Sequence, residues 1–276
     1  MNMRVVTFGL AVMALVALAL PAAQAQDTTD TALQKAIEAP SRSPSSVKRD
    51  QYRHPYEVLK FFGLRDDMTV VEILPGGGTA YWTEILAPYL REKGKYIAAI
   101  GDNEAGSDER REMNSAFRAK LVADPHLYDR VQVNLFGSSR YDVTPANSAD
   151  MILTFRNVHN WMADGTADAM FQAFFKALKP GGILGVEEHR ANADQPQDPQ
   201  AKSGYVRQDY IIALAEKAGF QFAGSSEINA NPKDTKDYAG GVWTLPPNLK
   251  QGDHERAKYA AIGESDRAIL KFVKPQ

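Results

Sequence analysis

Residues 70–78 read Val70-Val71-Glu72-Ile73-Leu74-Pro75-Gly76-Gly77-Gly78, an apolar run that ends in three consecutive glycines. The run begins at Thr69 and is rich in β-branched residues, which favours a buried strand. The glycines allow a sharp turn after the strand and leave main-chain N–H groups uncovered by side chains. The pattern therefore predicts a strand that runs into a ligand-binding turn.

Apolar runs and helical patterns alternate along the chain after this turn. Such alternation is typical of a mainly parallel sheet that carries helices on both faces. The predicted strands cover 69–74, 95–100, 130–135, 149–154, 182–187, 220–228 and 267–273, and the predicted helices after the turn cover 81–89, 108–122, 166–178 and 205–218.

The last two predicted strands are joined by a long connection, residues 229–266, that contains no helical pattern long enough for a parallel crossover. Without such a crossover the final strand has to enter the sheet antiparallel. A dinucleotide-binding fold would instead continue with further βαβ units. We therefore expect a seven-stranded, mostly parallel α/β sheet with helices on both faces and an antiparallel last strand.

Residues 72–78 resemble motif I of class I S-adenosylmethionine-dependent methyltransferases, in which an acidic residue precedes a Gly-x-Gly-x-Gly-like turn. Glu72 matches the acidic residue, Gly76 and Gly78 match the last two glycines, and Leu74 stands where the first glycine is usual. The resemblance implies a Rossmann-like fold whose glycine loop surrounds the methionine part of S-adenosylmethionine. It also implies that Glu72 orients either this loop or the ammonium group of the cofactor.

Three further stretches resemble the same family and follow in the family's order. Residues 178–184, Leu-Lys-Pro-Gly-Gly-Ile-Leu, resemble the turn before the fifth strand, with a proline stop and two glycines after a helix. Residues 149–161 resemble the fourth-strand segment, which ends in polar and aromatic groups beside the cofactor. Residues 264–275 resemble the terminal strand of a group of exported bacterial methyltransferases, and the whole resemblance spans about residues 50 to 275.

In this family an acidic residue at the end of the second strand accepts hydrogen bonds from the ribose hydroxyls. The expected place falls near Ile100 or Gly101, so Asp102 takes this role only if the strand end is shifted slightly. The cofactor-binding residues that follow from the resemblance are Glu72, Pro75, Gly76, Gly77, Gly78, Asp102 and Asn157.

Two of the five histidines follow predicted strands directly. His159 comes just after the fourth strand and His189 ends the fifth, and ligands of open α/β sheets bind at the carboxyl ends of the strands. Methyl transfer needs a general base only if the acceptor carries a proton at neutral pH. Each histidine is therefore a candidate catalytic base, and a hydrogen-bonded structural role remains open for each.

Glu187, Glu188 and His189 also suggest a metal site. Because adjacent strand residues point to opposite faces, Glu187 and His189 would share a face while Glu188 would not. Two ligands are too few to specify a site. We therefore predict no bound metal.

The N-terminal residues are typical of a secretory signal peptide rather than of a fold. Arg4 is followed by an apolar stretch up to Leu20, and Ala23-Gln24-Ala25 fits the small-x-small cleavage pattern. Residues 26–50 are polar and lack sustained periodicity, which indicates a flexible arm before a domain at 51–276. A periplasmic or secreted protein, without stable membrane insertion after cleavage, is the resulting expectation.

Composition excludes several function classes. The chain has 276 residues and a formal net charge of −2, which gives no electrostatic reason to expect nucleic acid as a partner. The absence of cysteine excludes disulfides, thiolate–metal sites and a cysteine nucleophile.

The leading hypothesis is S-adenosylmethionine-dependent methyl transfer to a small-molecule or envelope acceptor. The supply of this cofactor outside the cytoplasm is unexplained, which motivates a second hypothesis: a non-catalytic ligand-binding protein with a degenerate methyltransferase fold. A nicotinamide-dependent oxidoreductase is a weaker alternative, because its glycine fingerprint would need a third glycine where Tyr81 stands.

Overall fold

A computed structural model of the protein describes Met1 and residues 30–76, 78–102, 107–137 and 140–276. Its centre is a seven-stranded sheet of order β3-β2-β1-β4-β5-β7-β6. Residues 30–37 form helix α1, and the remaining elements are α2 (Pro44–Val47), α3 (Asp50–Arg53), α4 (Pro55–Phe62), β1 (Thr69–Ile73), α5 (Thr83–Leu90), β2 (Lys95–Gly101), α6 (Asp108–Ala123), α7 (Pro125–Tyr128), β3 (Gln132–Phe136), β4 (Ala149–Phe155), α8 (Val158–Ala163), α9 (Ala167–Ala177), β5 (Leu178–His189), α10 (Gln208–Lys217), β6 (Gln221–Ser226), a 3₁₀ turn (Gly241–Thr244), α11 (Arg256–Ile262) and β7 (Arg267–Val273).

Strand β1 lies at the centre of the sheet and is buried on both faces. Val71 and Ile73 point into a core shared with helices α8, α9 and α10. Val70 points into a second core that includes residues of α1, α4, α5 and α6. This two-sided burial explains why the central strands read as continuous apolar runs rather than as alternating patterns.

Strands β1 to β5 run parallel to one another, β6 has the same direction, and β7 alone runs the opposite way. Strand β7 pairs antiparallel with β5 on one side and with β6 on the other. The expected fold class is confirmed, including the antiparallel last strand, because 229–266 contains only one short α-helix and a 3₁₀ turn and so no crossover helix of the needed length.

The turn that the sequence predicts before the fifth strand lies inside that strand in the structure. Strand β5 already begins at Leu178, and Leu178 pairs with Ala149 while Ile183 pairs with Met151. The Lys-Pro-Gly-Gly residues therefore form a bulge inside the strand rather than a connection in front of it. Gly181 has φ +77, a left-handed conformation that glycine adopts at no steric cost.

Residues 30–50 differ from the flexible arm expected from their polarity. Leu33 is 1% exposed and packs with Ile37 into the core beneath α4. Arg42 is buried and forms a bidentate pair with Asp50, at 2.7 and 2.8 Å from its two carboxylate oxygens. The described part of this segment is thus packed on the domain, and its few apolar residues suffice because they meet an apolar surface elsewhere in the chain.

Within the described ranges, no helix is both long and apolar enough to cross a membrane. Except for Met1, the signal peptide predicted from residues 1–25 lies outside the described residues.

Candidate active site

The backbone after β1 adopts the sharp turn expected from the sequence. Leu74 has φ +51, and its N–H donates to the carbonyl of Ala99 at 2.8 Å. Gly76 has φ +90, and no atom lies within 4 Å of the position that a Cβ would occupy. A ligand can therefore approach the main chain at Gly76 closely. Gly77 lies outside the described residues.

Leu74 occupies the place of the usual first glycine and keeps a left-handed backbone there. Such a conformation costs a leucine roughly 1–2 kcal/mol. The half-buried side chain of Leu74 packs against the core and lines two neighbouring cavities. Backbone strain of this kind often occurs at functional sites.

Two cavities meet at this turn. The larger has a volume of about 660 Å³ and the smaller about 390 Å³. Both volumes fall within the roughly 300–1,000 Å³ range of small-molecule sites. The residues that line both cavities are Leu74, Pro75, Gly76, Met113, Asn157 and Asn160.

The larger cavity lies at the carboxyl ends of β1, β2 and β3, where Gly101 and Gly137 line it. A Cβ on Gly101 would lie 2.7 Å from Cδ of Arg110, so this glycine makes room for the arginine side chain. Asp102 follows β2 directly, because the strand extends to Gly101. It is buried and lies 4.0 Å from Arg140. The strand end is thus shifted in the direction that the ribose role requires.

Asn157 connects the ends of β1 and β4 at the boundary of the two cavities. Its Nδ2 donates to the carbonyl of Ile73 and to the hydroxyl of Thr154, both at 3.1 Å. The amide is buried. These contacts hold the β1 turn in a fixed position relative to β4.

Glu72 lies beneath the turn, lines the smaller cavity and is 1% exposed. Its Oε2 accepts hydrogen bonds from the hydroxyls of Thr83, at 3.2 Å, and Tyr96. Burial raises the pKa of Glu72 to about 7, although the two hydroxyls and the charge of Arg53 oppose the shift. This carboxyl group therefore titrates near neutral pH.

The smaller cavity contains both predicted histidines. The ring centroids of His159 and His189 are 5.5 Å apart. Glu188 Oε1 lies 3.0 Å from Nδ1 of His159, and Oε2 accepts the backbone N–H of His159 at 3.2 Å. Because a carboxylate only accepts, Nδ1 is the donor in this contact, and Nε2 is the ring nitrogen that Glu188 does not engage. His159 thus has the arrangement of an oriented general base.

His189 has a different environment. Its Nδ1 lies 2.5 Å from the hydroxyl of Ser265. Burial and the neighbouring charges of His159, Arg156, Arg267 and Arg53 lower its pKa well below the ordinary value. The imidazole is therefore neutral at physiological pH.

The expected alternation of Glu187 and Glu188 is only partly followed. Glu187 faces Asn229, which donates to it at 3.1 Å, and Arg267. Glu188, not Glu187, joins the histidines, because β5 ends at His189 and the strict alternation of a strand stops there. Among the described residues, His159, Glu188 and His189 bring ligand atoms within 4.8 Å of one another, a spacing that a metal ion could bridge.

The electrostatics of this group do not favour a cation. Both oxygens of Glu188 already accept hydrogen bonds, since Oε1 also takes the backbone N–H of His189 at 2.8 Å. The arginines that lower the pKa of His189 create a positive field at the same place. The arrangement fits a histidine oriented by a carboxylate better than a metal centre.

The residues that surround the histidines were not predicted from the sequence. Arg49, Arg53 and Arg156 line the smaller cavity together with Glu264 and Ser265. One of them carried a usable signal: Arg156 follows an apolar strand directly, as catalytic and binding residues of parallel sheets do. The others come from distant parts of the chain and meet only in the fold.

An aromatic wall and a proline-rich segment complete the smaller cavity. Trp82 stacks on Phe155 with ring centroids 4.2 Å apart, and Trp243 contacts His159 edge-on at 6.0 Å. Pro246 and Pro247, from the connection between β6 and β7, also line this cavity. Trp161 lines the larger cavity instead.

Solved structures with this architecture align over nearly the whole chain. An S-adenosylmethionine-dependent methyltransferase from Aquifex aeolicus aligns with a TM-score of 0.53 and 19% identity over 89% of this chain and 98% of its own. The [4+2]-cyclase SpnF aligns with a TM-score of 0.54 and 16% identity over 91% of this chain and 95% of its own. The fold is that of class I methyltransferases.

Phosphoethanolamine N-methyltransferase 2 of Haemonchus contortus, solved with S-adenosyl-L-methionine, has the same methyltransferase fold. It aligns with a TM-score of 0.53 and 17% identity over 91% of this chain and 57% of its own. No protein-family model matches the sequence, and a search of curated proteins gives no match. The likeness therefore establishes the methyltransferase fold, and SpnF, named as a cyclase, illustrates that the fold alone does not determine the reaction.

Proposed function

We propose that the chain binds S-adenosylmethionine in the larger cavity and transfers the methyl group to an acceptor in the smaller one. The observation that carries this proposal is the open turn at Gly76, which borders both cavities and has no atom within 4 Å of its Cβ position. Residues that hold a donor at this turn would therefore also contact a molecule in the neighbouring cavity.

The residues of the larger cavity fit a nucleoside with an amino-acid tail. Pro75 and Gly76 line this cavity, and Asp102, which does not line it, directly follows the lining residue Gly101 at the end of β2, where the family's ribose-binding acid is found. Asn157 fixes the turn from the side of β4. These residues, with Glu72 beneath the turn, are the proposed cofactor-binding set.

The bound donor would supply an electrophilic methyl carbon, and the chain would supply alignment and, where needed, a base. His159 is the proposed base, because Glu188 holds its Nδ1 proton and directs its ring. His189, kept neutral by burial, is the proposed second contact to the acceptor. An acceptor whose nucleophile is protonated at neutral pH would need this machinery, and one with a free lone pair would not.

Calorimetric titration of the purified protein with S-adenosylmethionine and S-adenosylhomocysteine tests donor binding. Gly76→Ala should weaken both, since alanine is strained at φ +90 and its methyl group would enter the site. Gly252→Ala is the matched control, because Gly252 also has positive φ and open space but does not line either cavity. Failure of the unmodified protein to bind either nucleoside at millimolar concentration would refute the proposal.

Leu74 favours a second candidate, a ligand-binding protein that has lost the reaction. Its side chain lines both cavities where the family usually has glycine. Incubation with radiolabelled S-adenosylmethionine and extracts of small molecules or envelope material separates the two functions. Label transferred to any acceptor excludes the non-catalytic candidate, whereas nucleoside binding without transfer would support it.

Export of the protein, to the periplasm or the medium, is proposed from residues 1–25 alone. Cell fractionation followed by N-terminal sequencing of the mature chain tests it. A mature N-terminus at Gln26 in the exported fraction is the expected result, and an intact Met1 in the cytoplasm would contradict it.

A further inference from the structure

Four arginines gather beside the histidines of the smaller cavity, and we call them the arginine cluster. Arg49, Arg53 and Arg156 line the cavity, and Arg267 lies behind them as the first residue of β7. Arg53 and Arg267 are each 1% exposed. Fully buried arginine is rare unless its charge is compensated, so the acidic neighbours of this cluster decide how much positive charge remains.

Two carboxylates pair with the arginine cluster. Glu264 accepts from Arg49 at 2.5 Å and from Arg267 at 2.8 Å, and it lies 3.5 Å from Arg53. Glu187 lies 3.3 Å from Arg267. Although its own burial opposes ionisation, the three arginines around Glu264 lower its pKa to about 2, so this carboxylate is ionised throughout the physiological range.

Four guanidinium groups thus face two carboxyl partners, Glu264 and Glu187. Glu72 is the next nearest acid on the cavity wall, but its pKa of about 7 leaves it only partly charged. Glu188 is engaged with His159. The arginine cluster therefore retains excess positive charge.

Several nitrogens of the cluster lack hydrogen-bond partners among the described residues. They are Nε and Nη2 of Arg53, Nε of Arg156 and Nη2 of Arg49 on the arginines that line the cavity, and Nε of Arg267 behind them; each is shielded from solvent. A buried donor without a partner destabilises the folded protein, and more so when it is charged. Four such donors on the arginines of one cavity wall offer hydrogen bonds to an acceptor that binds there.

Other features keep these guanidinium groups in place. The Arg53 guanidinium lies 4.4 Å from the centre of the Tyr81 ring, and Tyr81 is itself fixed by donating to Asp50 at 2.6 Å. Arg156 has φ +63, a strained conformation held by its N–H bond to the carbonyl of Glu187 at 2.7 Å. Burial and mutual repulsion lower the pKa of Arg53 well below its ordinary value, and a bound anion would relieve that repulsion.

We propose that the arginine cluster binds the carboxylate or phosphate group of the small molecule that occupies the smaller cavity. Guanidinium groups bind both anions through paired, charge-assisted hydrogen bonds. The aromatic wall of Trp82, Phe155 and Trp243 would hold the apolar body of the same molecule. The proposal rests on the proposed function only in identifying this molecule as the methyl acceptor.

The test titrates the purified full-length chain with inorganic phosphate, benzoate and benzamide at constant ionic strength. Benzoate and benzamide share one shape and differ in charge, so their comparison isolates the anion. Phosphate or benzoate should bind, and benzamide should bind at least about tenfold more weakly. Equal affinity for benzoate and benzamide, or no binding of either anion to the folded protein, would overturn the proposal.

Two variants assign the binding to the cluster. Arg156→Met should weaken anion binding about tenfold or more, while Arg65→Met, a control with an exposed side chain, should stay within about twofold. Arg53→Met removes two of the unpartnered donors while Glu264 keeps Arg49 and Arg267, so this variant should weaken anion binding in the same way. If the variants of the arginine cluster show native circular dichroism spectra and an unchanged affinity for the anion, the assignment is overturned.

The carboxylate of the methyl donor is the competing source of the anion, and a nucleoside pair distinguishes it. S-adenosylhomocysteine carries this carboxylate and 5′-methylthioadenosine does not. Arg156→Met should leave the affinity ratio of these two nucleosides unchanged, and a collapse of the ratio would show that the cluster holds the donor instead. If neither nucleoside binds but benzoate or phosphate does, the proposed methyl transfer fails while the anion site stands.

Discussion

Replacement of Glu72 by glutamine is expected to stabilise the protein above pH 7 and to change its stability little at pH 5. Burial raises the pKa of Glu72 to about 7 in the folded state, whereas the unfolded chain titrates near 4.5. The folded protein therefore binds one more proton than the unfolded chain between these values, and stability falls as the pH rises through this window. Glutamine has no proton to lose and keeps an oxygen that accepts from Thr83 and Tyr96.

The magnitude follows from the two pKa values. A difference of one pKa unit corresponds to about 1.4 kcal/mol, so a shift from 4.5 to about 7 amounts to about 3 kcal/mol. The free energy of unfolding of the glutamine variant should exceed that of the unmodified protein by up to this amount at pH 8. At pH 5 the buried carboxyl group is protonated, and the two proteins should nearly coincide.

Urea unfolding monitored by circular dichroism between pH 5 and 8.5 measures this difference. Comparison with the unmodified protein cancels other titrations, such as that of His189, whose lowered pKa makes stability rise with pH below about 6.5. Tyr96→Phe provides a second variant, because loss of its hydroxyl removes a contact that lowers the pKa of Glu72. The pH dependence of stability should then steepen above neutral pH.

A constant stability difference between the glutamine variant and the unmodified protein from pH 5 to 8.5 would refute this reasoning. It would mean that Glu72 is ionised throughout, and hence that its surroundings compensate the charge. The electrostatic description of the β1 turn would then have to be revised.

Three further outcomes are expected. Leu74→Gly removes both the left-handed strain and a half-buried side chain, so the free energy of unfolding should change by no more than about 1 kcal/mol. The variant should bind S-adenosylhomocysteine more tightly in calorimetry, and weaker binding would contradict the interpretation of this position. Glu188→Gln should lower the turnover of a protonated acceptor about 10²-fold, because His159 loses its orienting carboxylate, and should leave the KM for the donor unchanged. Unchanged turnover in a coupled assay would exclude His159 as the base. Leu33→Ala should cost about 2–4 kcal/mol in urea unfolding, and a cost near zero would show that the N-terminal helix contributes little to the core.

The sheet could be predicted from the sequence because each strand is recognisable from its own residues. Buried central strands such as β1 are short apolar runs, and the turn after β1 needs glycine. The direction of β7 followed from the lack of a crossover helix before it. These are properties of neighbouring residues, so they can be read without knowledge of the fold.

The N-terminal helices and the arginine cluster could not be predicted in the same way. Leu33 and Ile37 make one turn of apolar spacing, and their burial depends on a surface formed by α4 and α5. In the sequence Arg53 resembles an ordinary surface charge, and only the fold brings it next to Glu264. The role of a charge whose partner lies 211 positions away is fixed by topology, and no local pattern reveals it.

The pairing of β7 between β5 and β6 places the first and last parts of the domain against each other. Arg49 and Glu264, which form a hydrogen bond, are 215 positions apart, and Arg267 reaches the backbone of Tyr52 over the same span. The ribosome therefore has to release Glu264 and Arg267 before this wall of the cavity can assemble, and closing so long a loop slows folding. Until that moment the arginines lack Glu264, the carboxylate that three of them share, and any chain that terminates before Glu264 would lack this compensation permanently.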